Sequence, residues 1–430
     1  MNCKTWIRPL VLLAAGILAA GAAPAPRGPE LPRGDPPRPA EKRINVAEHG
    51  ADLVDNDHDD TAAVSAAVAA AQDDATLYFP AGTYNVRWVR EIKGFHGLSL
   101  AGDGPTRSIL KRMGPFWKEG AERTWDNLRA NFATDSRILR IEDCRDMCIR
   151  DLGFDANGTP TFGGVGIKRA RRLHITRTRA FDSREQPPLF GKDRFAWTVM
   201  GYEQGCEDIW FVDNVVEGLQ TEMDGTLRVL VERSLFRRSV KSCGIGFLSG
   251  NFSRAEEFAD GFHNTHITVR RNYLTSSGDL SMGMVAFQLD PSTNCNSRFQ
   301  DIDIADNVFV YDVACPPGHC AIKLGTGDSS RKTKGNVFER FRIEGNRIYR
   351  HPKADIGGKF KAYLWYNCWA GEDRLNHTVA RGNRLHADEA APPMIAFQRE
   401  NQSTGLVVED NTTHPFEEPP APGDFLKSRP

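Results

Sequence analysis

The sequence has neither an excess of charge of one sign nor a long apolar segment beyond its first residues. Its 430 residues contain 55 Lys and Arg against 56 Asp and Glu, which argues against a protein that binds nucleic acid through bulk charge. After the N-terminus, no apolar run reaches the roughly 20 residues that a membrane span requires. Hydrophobic residues make up 40% of the chain, and the 39 Gly and 25 Pro indicate many turns. We therefore expect a soluble, turn-rich body with a sizeable core.

Two common ligand-site signatures are also missing. The sequence contains no CxxC pair, so a zinc site is not expected. Gly102-Asp-Gly104 and Gly325-Thr-Gly327 lack the helix and the Lys that follow in a phosphate-binding loop, which argues against nucleotide binding. The metal site is unknown and no cofactor is certain, with calcium as the candidate ion.

The N-terminus has the layout of a secretory signal. Lys4 and Arg8 precede an apolar run from Pro9 to Ala23 that closes with small residues. Residues 1–23 are therefore interpreted as a signal peptide, which predicts a secreted or periplasmic protein, and an uncleaved anchor is the alternative. Residues 24–43 are rich in Pro and are interpreted as an extended linker.

Export to an oxidising compartment would also determine whether the cysteines form disulfides. Eight cysteines follow the signal segment, and an even number in an oxidising compartment favours disulfides over buried thiols. Cys315-Pro-Pro-Gly-His-Cys320 has a tight turn between its two sulfurs and is the best single candidate for a disulfide.

Residues 44–111 form a distinct opening unit. Thr61 is expected to cap a helix over Ala62–Ala71, which consists almost entirely of strong helix formers. Its characteristic segments are Ile44-Asn45-Val46, His49-Gly50-Ala51, Asp59-Asp60-Thr61-Ala62-Ala63, Phe79-Pro80-Ala81-Gly82-Thr83-Tyr84 and Leu100-Ala101-Gly102-Asp103-Gly104. With these segments the unit resembles the start of the pectate-lyase-like superfamily of right-handed parallel β-helices. The resemblance implies a fold but no single reaction, because that superfamily includes lyases, hydrolases, epimerases and phage proteins.

A repeated motif follows, in which alternating apolar residues precede an Asn. Alternation with period 2 predicts strands, and its recurrence predicts a solenoid in which the Asn side chains of successive coils hydrogen-bond to one another. A β-propeller is the alternative, although the motif stands alone in each repeat. The full copies end at Asn214, Asn272, Asn307, Asn346, Asn383 and Asn411, and weaker copies end at Thr178 and Ser234.

The predicted fold is therefore all-β, a single-stranded right-handed parallel β-helix of the pectin-lyase-like type with an N-terminal capping α-helix. The β-helix domain is expected over residues 44–411. Residues 412–430, rich in Pro and Glu, are expected to form a loose tail.

A second apolar strand recurs between the Asn motifs. Alternation in Val285–Asp290 sends Val285, Phe287 and Leu289 inward, so that the polar residues between them face outward. The resemblance implies that the strand after the Asn turn lines a substrate groove. Because adjacent coils are about 4.8 Å apart, Asp290 and Lys323 are expected to be neighbours on its floor. The expected floor residues are Lys168, Asp224, Gln288, Asp290, Lys323, Trp365, Gln398 and Glu400.

The leading functional hypothesis is a secreted enzyme that cleaves an acidic, uronic-acid-containing polysaccharide by β-elimination. That reaction needs a base and a cation, and Lys323 or Arg399 can supply either role, with Asp290 orienting the Lys or holding calcium. Trp365 can stack on a sugar ring. The catalytic candidates are Lys323, Asp290, Arg399, Glu400 and Asp224, and the substrate-binding candidates are Lys168, Gln288, Trp365 and Gln398.

Two other functions stay open on the same fold. A glycoside hydrolase needs paired carboxylates, and Asp224 and Asp290 would lie about two coils apart, near the roughly 6.5–9.5 Å of inverting enzymes. The polygalacturonase set is absent, since there is no Asn-Thr-Asp and His319 precedes Cys320 instead of Gly. A non-catalytic carbohydrate-binding or cell-surface protein is the third possibility.

Each of these candidates also has an alternative explanation in which it has only a structural role. Lys323 and Asp290 would form only a surface ion pair, Glu222 and Asp224 would flank a turn, and Trp365 would be core if the strand phase slips by one residue. The expected partner is a polysaccharide, with no nucleic acid and no membrane span in the mature chain.

Overall fold

The computed structural model describes most of the chain in sixteen stretches. No helix in these stretches is long and apolar enough to cross a bilayer. The stretches are residues 28–87, 89–114, 137–159, 163–184, 195–200, 205–237, 244–248, 263–275, 283–289, 297–312, 320–326, 336–354, 362–367, 374–388, 393–398 and 403–427.

The described chain winds into coils that contribute strands to three sheets, and every strand pairing between successive coils is parallel. The first sheet consists of β1 Lys42–Asn45, β2 Ala75–Phe79, β5 Ser99–Gly102, β8 Arg145–Arg150, β11 Arg171–Thr176, β14 Cys206–Val212, β17 Thr226–Glu232, β20 His263–Arg270, β23 Arg298–Ala305, β26 Val337–Glu344, β29 Arg374–Asn376, β30 Val379–Arg381 and β33 Val407–Glu409. The second consists of β3 Gly82–Val86, β6 Ser108–Arg112, β9 Gly153–Asp155, β12 Arg179–Phe181, β15 Val215–Glu217, β18 Leu235–Arg237, β21 Tyr273–Thr275, β24 Val308–Tyr311, β27 Arg347–Arg350, β31 Arg384–His386 and β34 Thr412–His414. The third consists of β4 Val89–Lys93, β7 Leu139–Glu142, β10 Gly163–Lys168, β13 Phe195–Met200, β16 Gln220–Asp224, β19 Ile245–Leu248, β22 Gly283–Leu289, β25 Cys320–Thr326, β28 Leu364–Asn367 and β32 Ile395–Gln398. The predicted parallel β-helix is confirmed.

The core runs along the inside of the coils. Alternate residues of each strand point inward, and like side chains stack from one coil to the next. The rings of Phe247 and Phe287 stack with centroids 4.8 Å apart, and those of Phe299 and Phe338 with centroids 4.9 Å apart. These distances match the spacing of neighbouring strands, so one residue type repeated along the sequence fills one column of the core.

The predicted Asn ladder is present at the turn between the first and second sheets. Asn307 Nδ2 donates to Asn346 Oδ1 at 3.0 Å and to the Val269 carbonyl at 2.9 Å. Thr178 and Ser234 take the equivalent place in the weaker copies, where Thr178 Oγ1 donates to Asn214 Oδ1 at 2.7 Å. The ladder satisfies turn backbone that is buried from water.

A second ladder, which the sequence analysis did not predict, consists of Asp and Arg residues with positive φ. Arg228 and Asp208, with φ of 55° and 58°, bend neighbouring strands and form a bidentate pair at 2.6 and 3.0 Å. This left-handed conformation costs a non-glycine residue about 1–2 kcal/mol, and the ion pairs between coils offset that cost. Pairs of the same kind join Asp143 to Arg169, Asp146 to Arg172, Asp151 to Arg177, Asp213 to Arg233 and Asp301 to Arg340.

The helix expected near the N-terminus is present as α1, Thr61–Ala70. Thr61 is its first helical residue and not its cap, because Asp60 precedes it at the N-cap and makes no capping hydrogen bond. Asp60 instead accepts hydrogen bonds from the backbone of Asp52 and Asn85, which fixes the chain around the helix start. The helix packs against β1 and β4, and its role as a cap of the solenoid stays a prediction.

Both terminal segments are bound more closely than the sequence predicted. The described part of the expected linker, from residue 28 onward, hydrogen-bonds to side chains of the first sheet. The expected loose tail contains β34, which pairs with β31, and α2, Pro422–Lys427. Phe425 of α2 lies 6.2 Å from Tyr273, ring centroid to centroid, in an apolar cluster on the second sheet. Phe425 and Leu426 supply the apolar contacts of this segment with the second sheet, which the composition of the tail conceals.

Candidate functional site

The strands expected to line a groove form the third sheet. The resemblance implied that they come directly after the Asn turn, and this placement is wrong. A short strand of the second sheet comes first, such as Val215–Glu217 after Asn214, and the third-sheet strand follows it. The three or four residues of most of these short strands give too little alternation to be recognised in a sequence.

The outer face of the third sheet carries two files of residues in register. Their neighbours in sequence, such as Ile322, Leu324 and Leu364, belong to the core, which places the residues between them outside. The first file runs Arg140, Gly166, Thr198, Glu222, Gly246, Ala286, Lys323, Trp365 and Ala396. The second file, two residues later in each strand, includes Glu142, Lys168, Met200 and Asp224.

β16 places two carboxylates on this outer face. Met223 is fully buried in the core, so Gln220, Glu222 and Asp224 alternate on the opposite side. The exposed fractions of Glu222 and Asp224 are only 6% and 1%. Gln220 Nε2 lies 3.4 Å from Glu222 Oε2. Two residues along a strand separate the two Cα atoms by about 6.6 Å.

This arrangement changes the interpretation of residues 220–224. Both acidic residues lie in a strand, and the turn comes after them at Gly225, whose φ is 60°. Asp224 therefore occupies the predicted outward position, whereas Glu222 was not among the catalytic candidates. The sequence does contain a pattern that points to Glu222, because the polar residues Gln220, Glu222 and Asp224 alternate with Thr221 and Met223. The inward Thr221 is itself polar, which makes this alternation hard to recognise.

Lys323 and Trp365 form the second group on this face. Leu364 and Tyr366 are buried in the core, and Trp365 is partly exposed, as the outward phase requires. Lys323 is 1% exposed, and its Nζ lies 5.3 Å from the centroid of the Trp365 ring. A cation placed over an indole in this way is attracted by the negative face of the ring.

The predicted pairing of Lys323 with Asp290 finds no support in the strand register. The neighbours of Lys323 are Ala286 on β22 and Trp365 on β28. Ala286 is four residues before Asp290, about 13 Å along an extended strand. Asp290 itself lies outside the described residues.

A third group lies at the N-terminal end of the sheet, where Lys168 pairs in register with Glu142. Lys168 Nζ is 3.8 Å from Glu142 Oε1, and Arg140 Nε donates to the same oxygen at 2.7 Å. Lys93 is the next residue in the same file, and its Nζ lies 3.8 Å from Asp143 Oδ2. Two cationic side chains therefore contact Glu142, and a third lies at the neighbouring position of the file.

Four other candidates lie wholly or in part outside the described residues. Arg399 and Glu400 lie outside the described residues, as Asp290 does. Gln288 and Gln398 occupy positions in β22 and β32, but their side chains are outside the described part.

The predicted disulfide between Cys315 and Cys320 finds no support, because Cys320 is a free, buried thiol, and Cys315 lies outside the described residues. Burial raises the pKa of Cys144 to about 11 and the pKa values of Cys148, Cys206 and Cys320 to about 12, which argues against nucleophilic roles. Within the described stretches, no three His, Cys, Asp or Glu residues come together as a metal site.

Three parallel sheets, an Asn ladder and a polar outer face define a parallel β-helix protein. Residues 43–212 match the family described as rhamnogalacturonase A/epimerase, pectate lyase-like. A comparison with curated proteins gives no match.

Solved structures show the same fold. A hyperthermoactive exopolygalacturonase from Thermotoga maritima is 9% identical, with a TM-score of 0.54 over 89% of this chain and 93% of that chain. An endo-xylogalacturonan hydrolase from Aspergillus tubingensis is 12% identical, with a TM-score of 0.58 over 86% of this chain and 92% of that chain. Identities this low show the fold alone. The chain thus has the right-handed pectate-lyase-like β-helix fold, which confirms the resemblance drawn from its first seventy residues after the linker.

Proposed function

We propose that this protein is a carbohydrate-active enzyme that cleaves an acidic polysaccharide on the outer face of the third sheet. The observation that carries this proposal is the pair of buried carboxylates, Glu222 and Asp224, on one face of β16. The names of the two similar structures, a polygalacturonase and a xylogalacturonan hydrolase, are consistent with it.

The carboxylate pair favours hydrolysis over the elimination that leads the sequence analysis. Inverting glycosidases hold their two carboxyl groups roughly 6.5–9.5 Å apart, and the retaining ones roughly 5–5.5 Å. Side chains two residues apart on a strand leave it in parallel, so the separation of about 6.6 Å at the backbone suits inversion. One carboxylic acid would protonate the leaving oxygen, and the other carboxylate would take a proton from the attacking water.

The remaining groups of the face would bind the polymer. Trp365 would stack on a sugar ring, and Gly246 and Ala286, which have no side chain and a small one, lie between Glu222 and the Lys323–Trp365 pair. At the other end, the cationic group of Lys93, Arg140 and Lys168 favours a sugar that carries a carboxylate.

β-Elimination is the second candidate, and the position of Lys323 favours it. Lys323 lies three strands from Glu222 on the same file and would serve as base or as the cation that holds the substrate carboxylate. Asp290 and Arg399 would assist it under this hypothesis, with calcium as a possible aid. Export through the N-terminal signal is proposed with both reactions.

The products decide between these proposals. Purified protein is incubated with uronic-acid-containing and neutral polysaccharides, and both reducing ends and absorbance near 235 nm are followed. New reducing ends without absorbance support hydrolysis, and absorbance supports elimination. If neither appears with any polymer that binds, the protein is a carbohydrate-binding β-helix and the enzyme proposal is wrong.

Variants test the carboxylate pair. Glu222→Gln and Asp224→Asn should each lower kcat by about a hundredfold or more, because general acid–base catalysis contributes roughly 10²–10⁴-fold. Glu409→Gln, an exposed carboxylate at the far end of the first sheet, is the matched control and should retain activity. Full activity in both β16 variants would remove the pair from the mechanism.

A further inference from the structure

Residues 28–40 run lengthwise along the outer face of the first sheet. At one end, a Cβ added to Gly28 would come within 2.8 Å of Arg342 Nη2 on β26. At the other end, Thr76 Oγ1 on β2 donates to the Ala40 carbonyl at 2.8 Å. The segment therefore crosses nine neighbouring strands, from β26 to β2.

The length of the segment matches this path. Eight strand spacings of about 4.8 Å make about 38 Å. Twelve residue steps of a polyproline II helix, at about 3.1 Å each, make about 37 Å. A Pro-rich segment favours this extended form before it binds, which lowers the entropy that binding costs.

Side chains of the first sheet recognise the backbone of the segment. Arg172 Nη1 donates to the Arg33 carbonyl at 2.5 Å, and Nη2 donates to the Asp35 carbonyl at 3.0 Å. Asp208 Oδ1 accepts from the Arg33 backbone N–H at 2.9 Å, and His266 Nδ1 accepts from the Glu30 backbone N–H at 3.2 Å.

The recognising side chains are themselves held in place. Arg172 Nε donates to Asp146 Oδ1 at 2.6 Å, and Arg228 holds Asp208 with two hydrogen bonds. These pairs belong to the Asp–Arg ladder, so the ladder that bends the strands also orients the groups that hold the segment.

The same surface offers apolar area. Pro32 and Pro37 of the segment are buried, although most of their neighbours are exposed. Trp210, Val212 and Leu230 form a small buried cluster on the outer face of β14 and β17, on the path of the segment. An aromatic surface beside polar groups that bind the backbone is the usual way in which proteins hold Pro-rich peptides.

We propose that the outer face of the first sheet is a binding groove for an extended Pro-rich peptide, and that residues 28–40 are its occupant, an intramolecular strap. Each coil of a solenoid otherwise contacts only its neighbours. A strap across nine strands couples coils that do not touch, so the coils of β11, β14 and β20 cannot open without releasing strap contacts. The strap begins after Ala23, so it would remain in the chain if the predicted signal peptide is removed.

The proposal is tested in the full chain by cutting the strap from the body. A protease recognition site is inserted between Ala40 and Glu41, and the folded protein is cut and passed over a size-exclusion column. The cut N-terminal fragment should remain with the body and exchange with a labelled synthetic peptide of residues 28–40, at one peptide per chain. Loss of the fragment during the first passage would overturn the proposal.

Two arginines provide a matched comparison. Arg172→Ala should speed release of the cut fragment by about tenfold or more, because it removes both hydrogen bonds to strap carbonyls. Arg177→Ala removes a ladder pair of the same kind, with Asp151, and should leave the release rate unchanged. A labelled peptide with Pro32→Ala and Pro37→Ala should bind at least about fivefold more weakly. Equal release rates in the two arginine variants would show that loss of a ladder pair, and not loss of the hydrogen bonds to the strap, sets the release rate of the fragment.

Discussion

The Asn ladder gives the most quantitative prediction, through Asn307→Ala. Asn307 is fully buried, and its side chain takes part in four hydrogen bonds. Its Nδ2 donates to Val269 and Asn346, and its Oδ1 accepts from the backbone and side-chain N–H groups of Asn272, all at 2.9–3.0 Å. At about 1 kcal/mol for each bond, and with no water to replace them, the substitution should lower the free energy of unfolding by about 4 kcal/mol.

Asn411→Ala is the control for this prediction. Asn411 also takes part in four hydrogen bonds, at 2.7–3.0 Å, but it lies at the last coil and is only partly buried. Water can replace the lost partners there, so the cost should be about 1 kcal/mol. Equilibrium urea unfolding followed by circular dichroism measures both values. If Asn307→Ala costs no more than Asn411→Ala, burial does not set the strength of the ladder and the reasoning fails.

Three further predictions concern pH, thiols and the groove. Burial would raise the pKa of Asp301, but the hydrogen bond and charge of Arg340 outweigh it and hold the pKa below the ordinary 3.8. Because this folded-state pKa is depressed, the stabilisation is present at neutral pH and is lost as the pH falls below about 4. In the Asp301→Asn variant, the melting temperature should therefore depend less on pH between about pH 5 and pH 2 than it does in the wild type. A thiol reagent should modify Cys144, Cys148, Cys206 and Cys320 only after denaturation, which peptide mass mapping checks, and labelling of the native protein at these sites would contradict their burial. Trp365→Ala in an inactive Glu222→Gln background should weaken oligosaccharide binding by about tenfold in calorimetry, and unchanged binding would place the polymer elsewhere.

The sequence predicted the features that depend on local pattern. Period-2 alternation gave the strands of the third sheet and the outward position of Trp365, since Leu364 and Tyr366 are core. Repetition of Asn before an apolar residue gave the ladder, including the substitutes Thr178 and Ser234. These features follow from rules that operate within a few residues of the chain.

The features that depend on register were not predictable in this way. Alternation tells which face a residue occupies but not how far one coil slides along the next, so Asp290 was placed beside Lys323 where the register puts Ala286. Glu222 was missed because an inward Thr beside it looks polar in the sequence. The Asp–Arg ladder was missed because each pair joins residues of different coils, 20 to 39 positions apart in the chain.

The terminal segments show the same limit of composition and local pattern. Composition describes residues 24–43 as a linker, because Pro-rich sequence without apolar pattern has no core of its own. Its described part is held instead by Arg172, Asp208 and His266, which come from three different coils. At the other end, α2 lies on the second sheet through Phe425. The two termini thus stabilise the outer faces of the first and second sheets, where substitutions would disturb contacts along the solenoid. Within the described stretches, the hydrogen bonds and ring contacts of the two terminal segments lie on the first and second sheets, whereas Glu222, Asp224, Lys323 and Trp365 lie on the third.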